Sequence, residues 1–124
     1  MLDRLFVYGT LRLGSKNEYA ELLARQAQYL GPAKIAGRLY RVAHYPGLAP
    51  PESNADVVNG DVFAGVSEQL FKQMDEYEGA EYSRRITEVK MEDGTTLTTY
   101  CYHYVLPTAQ LQWIQSGDWL RGAG

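Results

Sequence analysis

Two short stretches of this sequence combine residue types that could do chemistry. The first is Tyr8-Gly9-Thr10-Leu11, which closes the first apolar run with a turn. A strand that halts at glycine and turns points successive backbone N–H groups outward, because they have left one ladder and joined no other. Such a nest binds an anion or a polarised carbonyl oxygen. Gly9 permits positive φ there, and Thr10 adds a hydroxyl. The plain alternative is a tight turn between a strand and a helix. The second stretch is Asp75-Glu76-Tyr77-Glu78-Gly79, with three carboxylates in four positions at a predicted helix C-terminus. That is the unfavourable end of the dipole for negative charge, at about 0.3 to 1 kcal/mol per exposed group. A solvated acidic helix end with Arg84 and Arg85 as counterions accounts for Glu76. Glu78, directly before the glycine, is placed to turn inward, where desolvation would push its pKa upward. A raised pKa is what a proton shuttle near neutral pH requires.

Other reactive side chains carry weaker signals. Cys101 and His103 share one strand face, but no second metal pair exists and no serine sits in a nucleophile elbow. His44 precedes Tyr45-Pro46 in a loop-like position. Packing roles are expected for all three, since a free cysteine is usually a small buried hydrophobe. Asp61 and Asp118 read as structural. No metal and no cofactor are expected.

The elements that must position these residues follow from pattern. Leu5 to Tyr8 reads as a short strand. Ser15-Lys16-Asn17-Glu18 fits a capping box, so a helix should start there, run through Leu22, Leu23 and Leu30 at helical spacing, and stop at Gly31-Pro32. Ile35 to Val42 is strand-like. Tyr45-Pro46-Gly47 and Pro50 to Asn54 are turn-rich and read as a surface loop. Val57 to Ala64 resumes strand character. Ser67 can cap a second helix with Val66 and Phe71 as its hydrophobic staple, and Gly79 ends it. Arg85 to Met91 and Thr95 to Val105 flank Asp93-Gly94, a strong hairpin signal. The tail, with Ser116-Gly117-Asp118-Trp119, is expected to be irregular and to lie back on the body through Trp113 and Trp119. This order predicts an α+β fold: a small, mixed, barrel-like curved β-sheet flanked by two main helices, in one domain spanning 1–124.

Composition bounds the partners. With 124 residues, one core burying about two-thirds of the unfolded surface is expected. Net charge is −3, and the twelve Lys and Arg are scattered without runs, so nucleic acid is not an expected partner. Cys101 is the only cysteine, which points to a reducing compartment. No window approaches the roughly 18 apolar residues of a membrane span, and the first residues lack the apolar run of a signal peptide. The expectation is a cytoplasmic protein that meets a small molecule and no membrane, as a monomer or weak homo-oligomer.

Taken together, "VYGTLR", "GRLYRV" with "YPGL", "MDEYEG", "YSRR" and "SGDWL" occur in order over nearly the whole chain. This set resembles the gamma-glutamylcyclotransferase-like family, YGTL type, which includes gamma-glutamylamine cyclotransferases. The resemblance implies a compact mixed barrel with a cavity at one end. It implies that a γ-glutamyl amine or amide is cleaved by its own α-amino group, giving 5-oxoproline and a free amine. It implies that Tyr8, Gly9, Thr10 and Leu11 hold the substrate, that Glu78 is the general acid/base, and that Tyr82, from the Y-x-R block with Arg84, lines the pocket. The nucleophile belongs to the substrate, so no catalytic Ser, Cys or metal is called for.

Two other readings stand beside this one. A non-catalytic domain binding a carboxylate metabolite would use the same cavity. A partner-binding domain would instead present the tyrosines of the last long strand as an exposed aromatic patch.

Overall fold

Short apolar runs separated by glycine, proline and capping residues set the element order. In the computed structural model, which describes residues 2–121, the chain runs β1 (Leu5–Val7), α1 (Glu18–Gln26), β2 (Gln28–Ala36), β3 (Arg38–Arg41), β4 (Pro46–Ala49), β5 (Val57–Ala64), α2 (Glu68–Glu78), β6 (Tyr82–Met91), β7 (Thr96–Tyr104) and β8 (Gln112–Ile114). Single 3-10 turns follow at Gly79–Glu81 and Trp119–Arg121.

β1, β5, β2, β6 and β7 close into a barrel, and β4, β3 and β8 form a separate three-stranded sheet. β1 is buried throughout because it is paired on both edges, antiparallel to β5 and parallel to β7. The β6–β7 hairpin is the longest pairing, from Tyr82↔Tyr104 to Lys90↔Thr96, whereas β2 meets β6 only at Ala33↔Met91 and Lys34↔Lys90. The barrel interior is filled by Phe6, Ile35, Val58, Val62 and Val89. A second cluster lies under the helices, where Leu23 of α1 and Leu70 and Met74 of α2 meet Leu5 and Phe63. Each such fully buried side chain is worth about 1.5 to 3 kcal/mol of transfer free energy. No helix among the described residues is long and apolar enough to cross a membrane.

The α+β barrel with two helices is as the pattern predicts, and α2 begins and ends as read. Ser67 Oγ accepts from the Leu70 amide at 3.1 Å, Val66 and Phe71 share one buried cluster, and Gly79 leaves the helix at φ 75. Several local expectations are corrected. α1 is capped by Asn17, whose Oδ1 accepts from the amides of Tyr19 (2.8 Å) and Ala20 (3.2 Å), so the Ser15 capping box does not form. The helix ends at Gln26, because residues 28–36 pair with β5 from Gln28↔Ala64 to Ala36↔Val57, with an irregularity between Tyr29 and Gly31. Leu30 is consequently exposed.

The predicted strand Ile35 to Val42 divides between two sheets at Gly37. Its amide donates to Asp56 O (3.1 Å), one step past the last β2–β5 pair Ala36↔Val57, and Arg38 Nε donates to Asp56 Oδ2 at 2.8 Å. Pro46 to Ala49, read as surface loop, is a fully buried strand paired with β3. Proline is tolerated at its first position, where a missing N–H does least harm. The tail is irregular at 115–118 and lies back on the body as expected, with Arg38 and Arg41 stacked over Trp113 and Trp119 at 3.8 and 4.7 Å from the ring centroids, but residues 112–114 before it form a strand paired with β3.

Candidate active site

Where β1 ends, the chain turns across one end of the barrel and forms the wall of a cavity of about 210 Å³. Tyr8, Gly9, Thr10 and Leu11 line it on one side. Glu78, Glu81 and Tyr82, from the end of α2 and the start of β6, line it on another, and His44, Tyr45 and Pro46 complete it beside Tyr102.

The turn is held from behind. The Arg12 amide donates to Gly9 O at 3.0 Å and closes it. The buried Arg12 side chain donates from Nε to Asp61 Oδ2 and from Nη1 to Asp118 Oδ1, both at 3.1 Å. Asp61 also accepts from the Leu13 amide and from Tyr29 Oη at 3.1 Å. A buried charge is tolerated only when paired and hydrogen-bonded, and here one guanidinium ties the turn to β5 and to the tail. The amides of Gly9, Thr10 and Leu11 donate to no other group among the described residues. Gly9 does not adopt the positive φ expected of it. Its value is clearance: a Cβ at this position would fall 2.5 Å from Pro46 Cγ.

Tyr8 is buried, its hydroxyl donating to Tyr102 O at 2.7 Å and accepting from the Leu48 amide at 3.1 Å. Burial pushes its pKa well up, so the hydroxyl stays neutral. Tyr82 Oη donates to Pro46 O at 2.6 Å and so fixes β4 against the hairpin.

Glu78 is half-buried, and its carboxyl has no hydrogen-bond or ion-pair partner among the described residues. Its pKa is raised to about 7, first by desolvation and then by the negative charge of Asp75. Partial burial works against ionisation of Asp75 too, but bonds from Arg84 and Tyr102 outweigh it and its pKa is lowered. Arg84 grips Asp75 with two bonds, at 2.9 and 3.1 Å, and Tyr102 Oη donates to the same carboxylate at 2.6 Å. Arg84 is thus the counterion of Asp75, not of Glu76.

All the predicted site residues border this cavity. Cys101, His103, Asp61 and Asp118 do not line it. Cys101 is fully buried, and burial pushes its thiol pKa up; His103 carries a lowered pKa, from burial and then from Arg85. Sequence reasoning missed Tyr45, Glu81 and Tyr102. Tyr45 Oη donates to Glu81 Oε1 at 2.8 Å. Chemically, the arrangement can hold a negatively charged or polarised oxygen on main-chain donors and exchange a proton near neutral pH with a group held opposite.

Residues 5–121 match the family model described as gamma-glutamyl cyclotransferase, AIG2-like. The chain is 32% identical over 120 residues to the gamma-glutamylcyclotransferase family protein YtfP of Escherichia coli, covering 94% of this chain and 96% of that protein. The solution structure of that protein superposes with a TM-score of 0.67. YkqA from Bacillus subtilis superposes at 0.78 with 26% identity over 98% of this chain, which spans only 40% of YkqA. An AIG2-like protein from Mus musculus shares the fold, with a TM-score of 0.73 at 22% identity over 88% of this chain and 81% of its own.

Proposed function

This chain belongs to the AIG2-like gamma-glutamyl cyclotransferase family, and from that premise we propose that it cleaves a γ-glutamyl amine or amide to 5-oxoproline and a free amine without a cofactor. The turn at Tyr8 to Leu11 holds the γ-glutamyl head, and Glu78 moves the protons. The observation that carries this reading is one cavity bordered both by unpaired turn amides and by a carboxyl whose pKa is about 7.

The reaction needs few parts because the nucleophile is internal to the substrate. The α-ammonium gives a proton to ionised Glu78, freeing the nitrogen lone pair to attack the γ-carbonyl carbon. As the ring C–N bond forms, charge gathers on the carbonyl oxygen, where main-chain donors stabilise it. The old C–N bond then breaks. The two protons shed by the ring nitrogen end on the departing amine, which leaves as an ammonium ion with Glu78 as relay. Intramolecular attack reaches effective molarities of about 10⁵ to 10⁸ M when the chain is held bent, so positioning is a large share of the rate. Tyr82 and Tyr8 act as rigid walls: each hydroxyl is spent on the protein's own backbone.

The test is to incubate the protein with a panel of γ-glutamyl amines and γ-glutamyl peptides and to follow 5-oxoproline. Turnover that is lost in Glu78→Gln is the expected result. No turnover of any member, together with ligand-induced thermal stabilisation that is the same in Glu78→Gln, would instead identify a binding domain.

A further inference from the structure

The charges around the cavity are lopsided. Among the described residues its charged lining consists of Glu78 and Glu81, with His44 as the one other titratable group besides tyrosines, and neither lysine nor arginine borders it. Arg84, the nearest arginine on the adjoining strand, is already gripped by Asp75. On the reading above, on which this inference rests, the γ-glutamyl head brings one carboxylate and one ammonium. Turn amides meet the first and Glu78 meets the second. That leaves Glu81 without a counterpart.

Glu81 is not a loose surface carboxylate. It lies three residues beyond Glu78, past the Gly79 break, in the 3-10 turn whose main chain is pinned by the Val105 amide donating to Glu81 O at 2.9 Å. Tyr45 Oη, on the opposite bank, donates to its Oε1 at 2.8 Å. The Tyr45 ring is in turn packed edge-on against His44 at 5.0 Å and tilted against Tyr82 at 6.3 Å. A hydroxyl donated to a carboxylate oxygen fixes its direction. The carboxylate forms no ion pair among the described residues, so one oxygen remains to meet a cation.

We propose that Glu81, steadied by Tyr45, is a specificity-determining residue that selects conjugates whose departing amine carries a second positive charge, as in γ-glutamyl diamines and polyamines. A neutral alkylamine would leave the Glu81 carboxylate desolvated and unmatched. An amine bearing a carboxylate would place like charges side by side with no cation to separate them. Discrimination of this kind depends as much on the penalty against the wrong partner as on attraction to the right one.

Three γ-glutamyl conjugates of matched length test it, those of putrescine, butylamine and γ-aminobutyrate, which end in a positive, neutral and negative group. The expected order of kcat/KM is putrescine, then butylamine, then γ-aminobutyrate, with about tenfold or more between the first and second. The difference should lie mainly in KM, because the distal charge does not change during the reaction. Glu81→Gln should bring the putrescine to butylamine ratio near one, and Tyr45→Phe should lower it partway. The order among the three in the unaltered protein is itself decisive, so a variant that folds poorly does not spoil the test. Equal values, or a ratio that survives Glu81→Gln in a folded protein, overturn the charge selection alone. Absence of 5-oxoproline from all three conjugates overturns both the selection and the cyclotransferase reading beneath it.

Discussion

Asp75 and Glu78, three residues apart at the C-terminal end of α2, are held in opposite protonation tendencies. Arg84 and Tyr102 keep Asp75 ionised, while burial and that same ionised neighbour raise Glu78 to about 7. Residues at this spacing are neighbours on a helix surface, so the charge of one is felt by the other. Pairs of carboxyls driven apart in this way divide the labour in many sites: one is a fixed charge, the other a proton carrier.

The pH dependence should report that pairing. On the proposed mechanism Glu78 must be ionised to accept a proton, so kcat/KM should rise through about pH 7 and level off above it. Asp75→Asn removes the repelling charge and leaves the Arg84 cation unneutralised, and both changes favour ionised Glu78. The rising limb should therefore move to lower pH. A limb that stays in place in the Asp75→Asn profile would assign it to some other group.

Stability should carry the same signature with a definite sign. Glu78 has an ordinary pKa of 4.5 when unfolded and about 7 when folded. Between those values the folded state holds the extra proton, so stability falls as pH rises from 4.5 to 7 and is flat beyond. Glu78→Gln removes this loss. Its melting temperature should match the parent at pH 4 and exceed it at pH 8, where the stability difference is at most about 3 kcal/mol, the value of the full shift. Melting curves at the two pH values check it.

Gly9→Ala should damage the site by intrusion. The new methyl would lie 2.5 Å from Pro46 Cγ, and the turn or β4 must shift to admit it. Overpacking of this order costs about 1 to 3 kcal/mol. Thermal denaturation should show the loss, and KM for any turned-over conjugate should rise, since the turn amides and Pro46 border one cavity.

Arg12 should prove costlier than Asp118, its partner in the tail. Arg12→Ala leaves the buried Asp61 carboxylate without its counterion, a class of change that costs about 3 to 5 kcal/mol. Asp118→Asn keeps a side-chain oxygen for the guanidinium and the Leu120 amide, and should cost much less. Denaturant titration of the two variants gives the ranking.

Elements with strong local punctuation were legible. Ser67 and Gly79 bracket α2, and at the β6–β7 turn Asp93 Oδ1 accepts from both the amide and hydroxyl of Thr95. Pairing between distant segments was not legible. Leu23, Ala27 and Leu30 keep a helical spacing across Gln26, yet the eight register pairs that β2 makes with β5 decide the matter, and no window of the sequence contains them. β4 was hidden by Pro46 and Gly47, residues whose usual surface role is overridden by burial against the hairpin. At the site, Gly9 and Glu78 stand next to element ends, which is why they could be picked out. Tyr45 and Glu81 carry no such mark, because their significance arises only when β4 folds over the end of α2.

Tyr8 has a consequence for how this site can diversify. Its single oxygen joins a barrel strand, through Tyr102 O, to the second sheet, through the Leu48 amide, in the same residue that opens the turn lining the cavity. It is a keystone shared by wall and architecture. New substrate preferences are therefore expected to arise by changes at Tyr45 and Glu81, whose mutual bond leaves the Tyr8 oxygen and its two partners in place.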